Sequence, residues 1–281
     1  ADIIRRKNFV WNFGLNLTHY KNKITRLPDQ YKNNTTDDGK LKGYNAGSKF
    51  LAEGLPLNTY YMPTYAGVDP ETGESSWNWY RKNDDQGNPL EEPYWTTTTV
   101  YSNVSSDPDS WSLLQCSMAK VFGGFGTSLE FYGFDLTLNF TYQIGGKIYD
   151  SAYASYMASP TSSSIGGNYH TDLAKAWSPT NRNSNIPRFQ YNDQYNSSTS
   201  DRFLLDGSYL NLQNINFGYT LPRKWTSKIA VNKVRVYLAC ENVALWSRRQ
   251  GFDPRLSLTG SNNAAVYSAV RTISGGLNLS F

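Results

Sequence analysis

Six stretches of the chain alternate apolar and polar residues with period two, the pattern of a strand that shows one apolar face. The first runs from Phe9 to about Tyr20, with Phe9, Trp11, Phe13, Leu15 and Leu17 on one side and Asn12, Gly14, Asn16 and Thr18 on the other. The second and third predict a hairpin around Tyr132-Gly133. Phe125, Leu129 and Phe131 line one arm, and Phe134, Leu136, Leu138, Phe140 and Tyr142 the other. The fourth spans Tyr209 to Tyr219. Ile215, Phe217 and Tyr219 keep one phase while Leu210 and Leu212 fall out of it, which predicts a β-bulge at Gln213-Asn214. The fifth sets Val234, Val236, Leu238 and Cys240 against Arg235, Tyr237 and Glu241. The sixth, Arg271 to Phe281, sets Ile273, Gly275, Leu277, Leu279 and Phe281 against Thr272, Ser274, Asn278 and Ser280.

Each stretch is about 9–12 residues long, enough for a tilted strand to cross a bilayer, whereas strands of soluble sandwiches average about 5–6. The connections run in a set order: roughly 100 residues, about two, about 60, about 12 and nearly 30. Long and short connections that alternate this way belong to a membrane barrel with its long loops on one side. About eight strands are the fewest that close such a barrel, and an open edge in lipid leaves backbone groups unpaired. The expected fold is therefore all-β, with residues 1–281 supplying six or so antiparallel strands at the C-terminal end of a larger barrel. The long connections carry turn chemistry, as in Val68-Asp69-Pro70 and Asn83-Asp84-Asp85, and short helices are expected at Tyr169 to Trp177 and near Trp225.

Composition narrows the function classes. Charged residues are 18% and aromatic residues 15% of the 281, which excludes a coiled coil and a charge-driven disordered chain. The net charge of +4 is spread thinly, so no nucleic-acid surface is expected. The longest apolar run is about five residues, short of the roughly 20 a membrane helix needs. Cys116 and Cys240 have no zinc or disulfide-framework spacing and read as two free or buried thiols, with one long-range bridge as the alternative. His19 and His170 lack ligand partners at metal spacing. No residue is singled out as catalytic or metal-binding, no cofactor is expected, and an enzyme is not expected. The acidic turn Asp69, Glu71, Glu74 reads as solvated rather than as a calcium loop.

The candidate ligand contacts are the loop aromatics Trp77, Trp79, Tyr80, Tyr94 and Trp95, which suit stacking on sugar faces or packing against a partner. Their alternative role is to hold a long loop together. Aromatics near predicted strand ends, Trp11, Tyr142, Tyr149 and Tyr219 among them, are expected at the membrane interfaces.

Several motifs, in order, resemble one family. They are Asn22-Lys23-Ile24 with Leu27-Pro28, Ala66-Gly67-Val68-Asp69-Pro70-Glu71-Thr72-Gly73, Gly123-Gly124-Phe125 and Tyr142-Gln143-Ile144-Gly145-Gly146-Lys147-Ile148-Tyr149-Asp150. Asp206-Gly207-Ser208-Tyr209-Leu210, Gly218-Tyr219-Thr220-Leu221-Pro222, Glu241-Asn242-Val243, Gly251-Phe252-Asp253-Pro254 and the terminal Phe281 complete the set. The chain resembles the C-terminal barrel portion of the SusC-like (RagA-type) TonB-dependent outer-membrane transporters of Bacteroidetes. The resemblance implies a barrel of about 22 strands in the bacterial outer membrane, with plug and TonB-contacting segments outside this sequence. It implies import of glycan or peptide fragments, a SusD-like surface lipoprotein as lid, energy from the TonB complex, and Phe281 as the barrel-assembly signal. A soluble, secreted carbohydrate-binding β-domain is the alternative.

Overall fold

The computed structural model describes residues 1–281 except 37, 38, 40, 194, 230, 258, 259 and 263–265. Its largest sheet has seven antiparallel strands that lie side by side in chain order. They are β1 (Asp2–Arg6), β2 (Phe9–Thr18), β3 (Val121–Phe131), β4 (Phe134–Ile144), β5 (Tyr209–Thr220), β6 (Lys233–Trp246) and β7 (Thr272–Ser280). The last six are the six stretches read from the alternation. β1 has no signal in the sequence, because Asp2-Ile3-Ile4-Arg5-Arg6 has no period-two pattern.

The register places every alternating apolar set on one face. Phe13 and Leu15 lie opposite Thr127 and Phe125. Phe125, Leu129 and Phe131 then meet Phe140, Leu136 and Phe134, which in turn meet Leu212, Phe217 and Tyr219. The pairing of β4 with β5 shifts between Asn139 and Phe140, skipping Gln213, so a bulge falls where the parity broke. Its effect is to return Leu210 and Leu212 to the face of Ile215 and Phe217. On β6 and β7, Val234, Val236 and Cys240 meet Leu279, Leu277 and Ile273.

That apolar face is largely exposed. Leu15, Leu238 and Ile273 are 63%, 55% and 67% exposed. A soluble sandwich would cover such a band, because continuous apolar patches this large on a monomer mark contact with a partner or a membrane. The one hydroxyl in the band beside Trp11, that of Thr127, is satisfied within the sheet: it accepts from Trp11 Nε1 at 2.8 Å and donates to the Asn12 carbonyl at 3.1 Å.

The opposite face is polar. Asn12 faces Ser128, Asn139 faces Asn214, and Thr141 faces Asn211. Asp135 pairs with the Arg235 guanidinium, whose Nη2 also donates to Asn216 Oδ1 at 2.7 Å. Gly218 makes that crossing possible, since a Cβ there would lie 2.5 Å from Arg235 Nη2. The faces are testable by paired substitutions. Leu238→Arg is expected to destabilise the protein in a lipid bilayer by about 2–4 kcal/mol, and Ser274→Arg on the polar face by less than about 1 kcal/mol. Chemical denaturation in liposomes measures both, and equal costs would refute the assignment.

All tight connections lie at one end of the sheet. Lys7-Asn8 joins β1 to β2, and Tyr132-Gly133 joins β3 to β4 with positive φ at both residues, 47° and 90°. That is the two-residue geometry that matches strand twist. The segment 221–232, with a short helix at Arg223–Thr226, joins β5 to β6 at the same end. The three long connections leave from the other end and are built rather than loose. The first holds a five-stranded sheet (34–35, 42–46, 49–52, 59–63 and 111–116) and a three-stranded sheet (65–68, 75–83 and 89–98). These strands add to the turn chemistry read from the sequence. A third small sheet unites 147–150, 204–206 and 261–262. Tyr149 belongs to it, its ring 6.2 Å from Phe203, and so is not part of a strand-end girdle. The buried clusters also sit here: Phe50, Ala52 and Tyr61 in one, Ala154, Met157 and Phe203 in the other.

Candidate ligand-binding loops

Trp77, Trp79, Tyr80, Tyr94 and Trp95 all fall on one hairpin, Ser75–Asn83 paired with Pro89–Thr98. Strand alternation sends them to opposite faces. Trp79 shares its face with Arg81, whose guanidinium lies 5.5 Å from the indole, and Arg81 pairs with Tyr94 across the hairpin. On the other face Tyr80 and Trp95 stand opposite each other with rings 5.4 Å apart. Tyr94 and Trp95 are each 48% exposed, and Trp79 and Tyr80 are half-buried. Trp77 is different. At 1% exposure it is packed among Tyr65, Tyr101 and Tyr195, with ring centroids 6.5, 4.9 and 6.0 Å away. It holds the loop, the alternative reading of this aromatic set, and is out of reach of a ligand. Phe281, 82% exposed, follows β7 at the tight-turn end of the sheet.

The acidic turn is taken up internally. Asp69 Oδ1 accepts from the Glu71 and Thr72 amides at 2.8 and 3.0 Å, which holds its carboxyl below the usual range. Glu74 pairs with Arg188 at 2.9 Å. Cys116 and Cys240 are free thiols in separate sheets.

A second cluster had no signal in the sequence, because its members come from segments up to about 100 residues apart. Asp150 is fully buried and pairs with Arg249. The Arg249 guanidinium lies 4.4 Å from the Tyr153 ring, and Arg249 Nη1 is 3.4 Å from His170 Nε2. Tyr153 donates its hydroxyl to Asp172 Oδ2 at 2.9 Å. Burial and that carboxylate push the Tyr153 phenol up to about 12. Next to this cluster, Asp201 accepts from the Tyr65 amide at 2.7 Å, and burial raises its carboxyl. None of these groups forms a nucleophile–base pair with an open reacting position.

The chain is 27% identical over 302 residues to TonB-dependent receptor P3 of Formosa agariphila, a match that covers 99% of this chain and 27% of that protein. It is 22% identical over 287 residues to TonB-dependent receptor SusC of Bacteroides thetaiotaomicron, covering 100% of this chain and 25% of that protein. It is a relative of the SusC-like TonB-dependent receptors. The solved RagAB peptide transporter shares the fold, with a TM-score of 0.75 at 22% identity over 100% of this chain and 28% of that one. No family model matches the chain. The chain spans about a quarter of the length of the curated relatives it matches.

The motifs that carry the SusC-like resemblance do structural work where the long connections leave the sheet. Asp206 Oδ1 accepts from the Ser208 amide at 2.9 Å, and Ser208 Oγ accepts from the Gly145 amide at 2.8 Å. Gln143 Nε2 donates to the Gly207 carbonyl at 3.1 Å, and the Gly207 amide to Gly146 at 2.8 Å. Gly145 and Gly146 both take positive φ, and a Cβ on Gly146 would meet the Ser117 carbonyl at 2.6 Å. In the Gly251-Phe252-Asp253-Pro254 motif, Phe252 is buried, its carbonyl accepts from Ser247 Oγ at 2.6 Å, and Asp253 pairs with Arg255. Among the described residues no helix is long and apolar enough to cross a membrane, which has no bearing on crossing by strands.

Proposed function

We propose that this chain is the C-terminal wall and extracellular-loop part of a TonB-dependent importer in the bacterial outer membrane. The register of β2–β7 carries the reading. It sets every alternating apolar residue on one exposed face and Asn, Thr, Ser and Gln on the other, the two-sided character of a strand between lipid and a wet lumen. Two further features support it. β1 and β7 each leave one edge without a partner among the described residues, as a sheet does when further strands continue it. The long connections stand at one end as folded structures, suited to ligand contact outside the cell. The terminal Phe281 fits the role of barrel-assembly signal. The cargo is an oligosaccharide or oligopeptide, a SusD-like lipoprotein closes the outer mouth, and TonB delivers the energy.

Trp79, Tyr80, Tyr94 and Trp95 contact the cargo in this reading, with Tyr94 and Trp95 the most available. Uptake of labelled growth substrate by cells tests it. Deleting the gene is expected to abolish uptake, and Trp95→Ala to weaken ligand binding by about threefold to tenfold with normal amounts of protein in the outer membrane. A protein recovered in a soluble fraction would overturn the reading and favour the secreted carbohydrate-binding domain.

A further inference from the structure

A cleft of about 620 Å³ opens along the edge strand Tyr65–Val68, between that strand, the short helix Ser151–Tyr156 and the 3₁₀ turn Thr171–Lys175. Tyr65, Tyr153, Lys175, Asn185, Ile186 and Arg202 face into it. Arg202 is the unusual member. Its guanidinium carbon lies 5.2 Å from the Tyr65 ring and 5.0 Å from the Phe203 ring, so it is set on an aromatic seat. Its Nη1 donates to the Asn196 carbonyl at 2.9 Å. A guanidinium carries five N–H donors, and no carboxylate among the described residues lies within ion-pair distance of this one.

The other well-covered loop arginines are all matched. Arg81 meets Asp85, Arg188 meets Asp193 and Glu74, Arg249 meets Asp150, and Arg255 meets Asp253. Burial without a counter-charge penalises the charged form, and Arg202 is held below its ordinary pKa for that reason. Lys175, at the exposed rim, also has no carboxylate partner among the described residues. The one acid in the lining, Asp172, is engaged by the Tyr153 hydroxyl at 2.9 Å and lies 3.3 Å from His170 Nδ1. The cleft therefore holds one more positive than negative charge, with an apolar flank from Ile186 and the two tyrosine rings.

We propose that this cleft binds the carboxylate group of the imported ligand, with Arg202 as the anchor and Lys175 and Asn185 closing around it. The planar guanidinium fork matches a carboxylate in two parallel hydrogen bonds, and a partly desolvated site strengthens each of them. The rings of Tyr65 and Tyr153 and the Ile186 side chain accept the carbon skeleton beside the acid. The proposal rests on the importer reading and narrows its cargo to acidic ligands. Two sources share the chemistry: the C-terminal carboxylate of an oligopeptide and the uronate of an acidic oligosaccharide.

Calorimetric titration of the full-length protein in detergent tests it with two matched pairs of probes. One pair is trialanine and its C-terminal amide; the other is trigalacturonate and its methyl ester. The free acid of one pair is expected to bind about tenfold tighter than its neutral partner, and that pair identifies the source. Lys175→Gln is expected to cut this ratio about threefold, and Arg202→Gln to bring it near one. Arg202 packs on two rings, so if its variant fails to fold, the exposed Lys175→Gln decides. Equal binding of acid and neutral probes, an unchanged ratio in the folded variants, or no binding of either acid overturns the proposal. The importer reading has its own readout, uptake of growth substrate, and so stands or falls separately.

Discussion

Replacing Arg249 with methionine is expected to destabilise the loop layer by about 3–5 kcal/mol, because it leaves the fully buried Asp150 without its cation. The effect reaches beyond the pair. Asp150 Oδ1 accepts from the Tyr153 amide at 3.1 Å and starts the helix Ser151–Tyr156, while Arg249 lies over the Tyr153 ring. One substitution thus loosens the junction between two long connections that are far apart in sequence. Hydrogen exchange over 147–206 is the measurement, since the seven-stranded sheet stays folded and would mask a local opening in a global melt. The double variant Asp150→Asn, Arg249→Met is expected to regain part of the loss, because the buried carboxylate charge is then removed together with the guanidinium. Undiminished protection in Arg249→Met would show that the pair does not support the layer.

Trp77→Ala carries the second large effect, a loss of about 3–5 kcal/mol from the transfer of the indole out of the interior and the cavity it leaves. Its three tyrosine neighbours, Tyr65, Tyr101 and Tyr195, all lie outside the hairpin, so the substitution disconnects the hairpin from three other segments. Trp95→Ala on the same hairpin is expected to change stability by no more than about 0.5 kcal/mol, since that indole is half exposed. The two variants separate a packing role from a ligand-contact role. Hydrogen exchange of 75–98 reads the first, and ligand titration reads the second. Equal protection losses would mean that the division between the residues is wrong.

Much of the molecule follows from alternation alone. A strand with one face in an apolar medium must place its apolar residues at every second position, so Phe9 to Thr18 and Thr272 to Ser280 declare themselves without any partner. Even the bulge in β5 was legible, because a one-residue slip moves all later side chains to the wrong face and the chain needs an extra residue to correct it. The loop sheets were illegible for the converse reason. Thr59–Pro63 is buried on both sides and has no alternation to read, and Lys49–Ala52 alternates over only four residues, too few to declare a strand.

The sequence by itself determined the all-β character, the six long strands, their apolar and polar faces and the grouping of tight turns at one end. All of these depend on neighbours one or two residues away or on connection lengths. Tertiary structure alone decided which of five similar aromatics is buried, that Asp150 meets Arg249, and that Arg202 has no carboxylate partner among the described residues. Residue type is the same for Trp77 and Trp95, and only the packing of distant segments differs. Burial and charge pairing are set by chain segments brought together across about 100 residues, and local pattern holds no record of them.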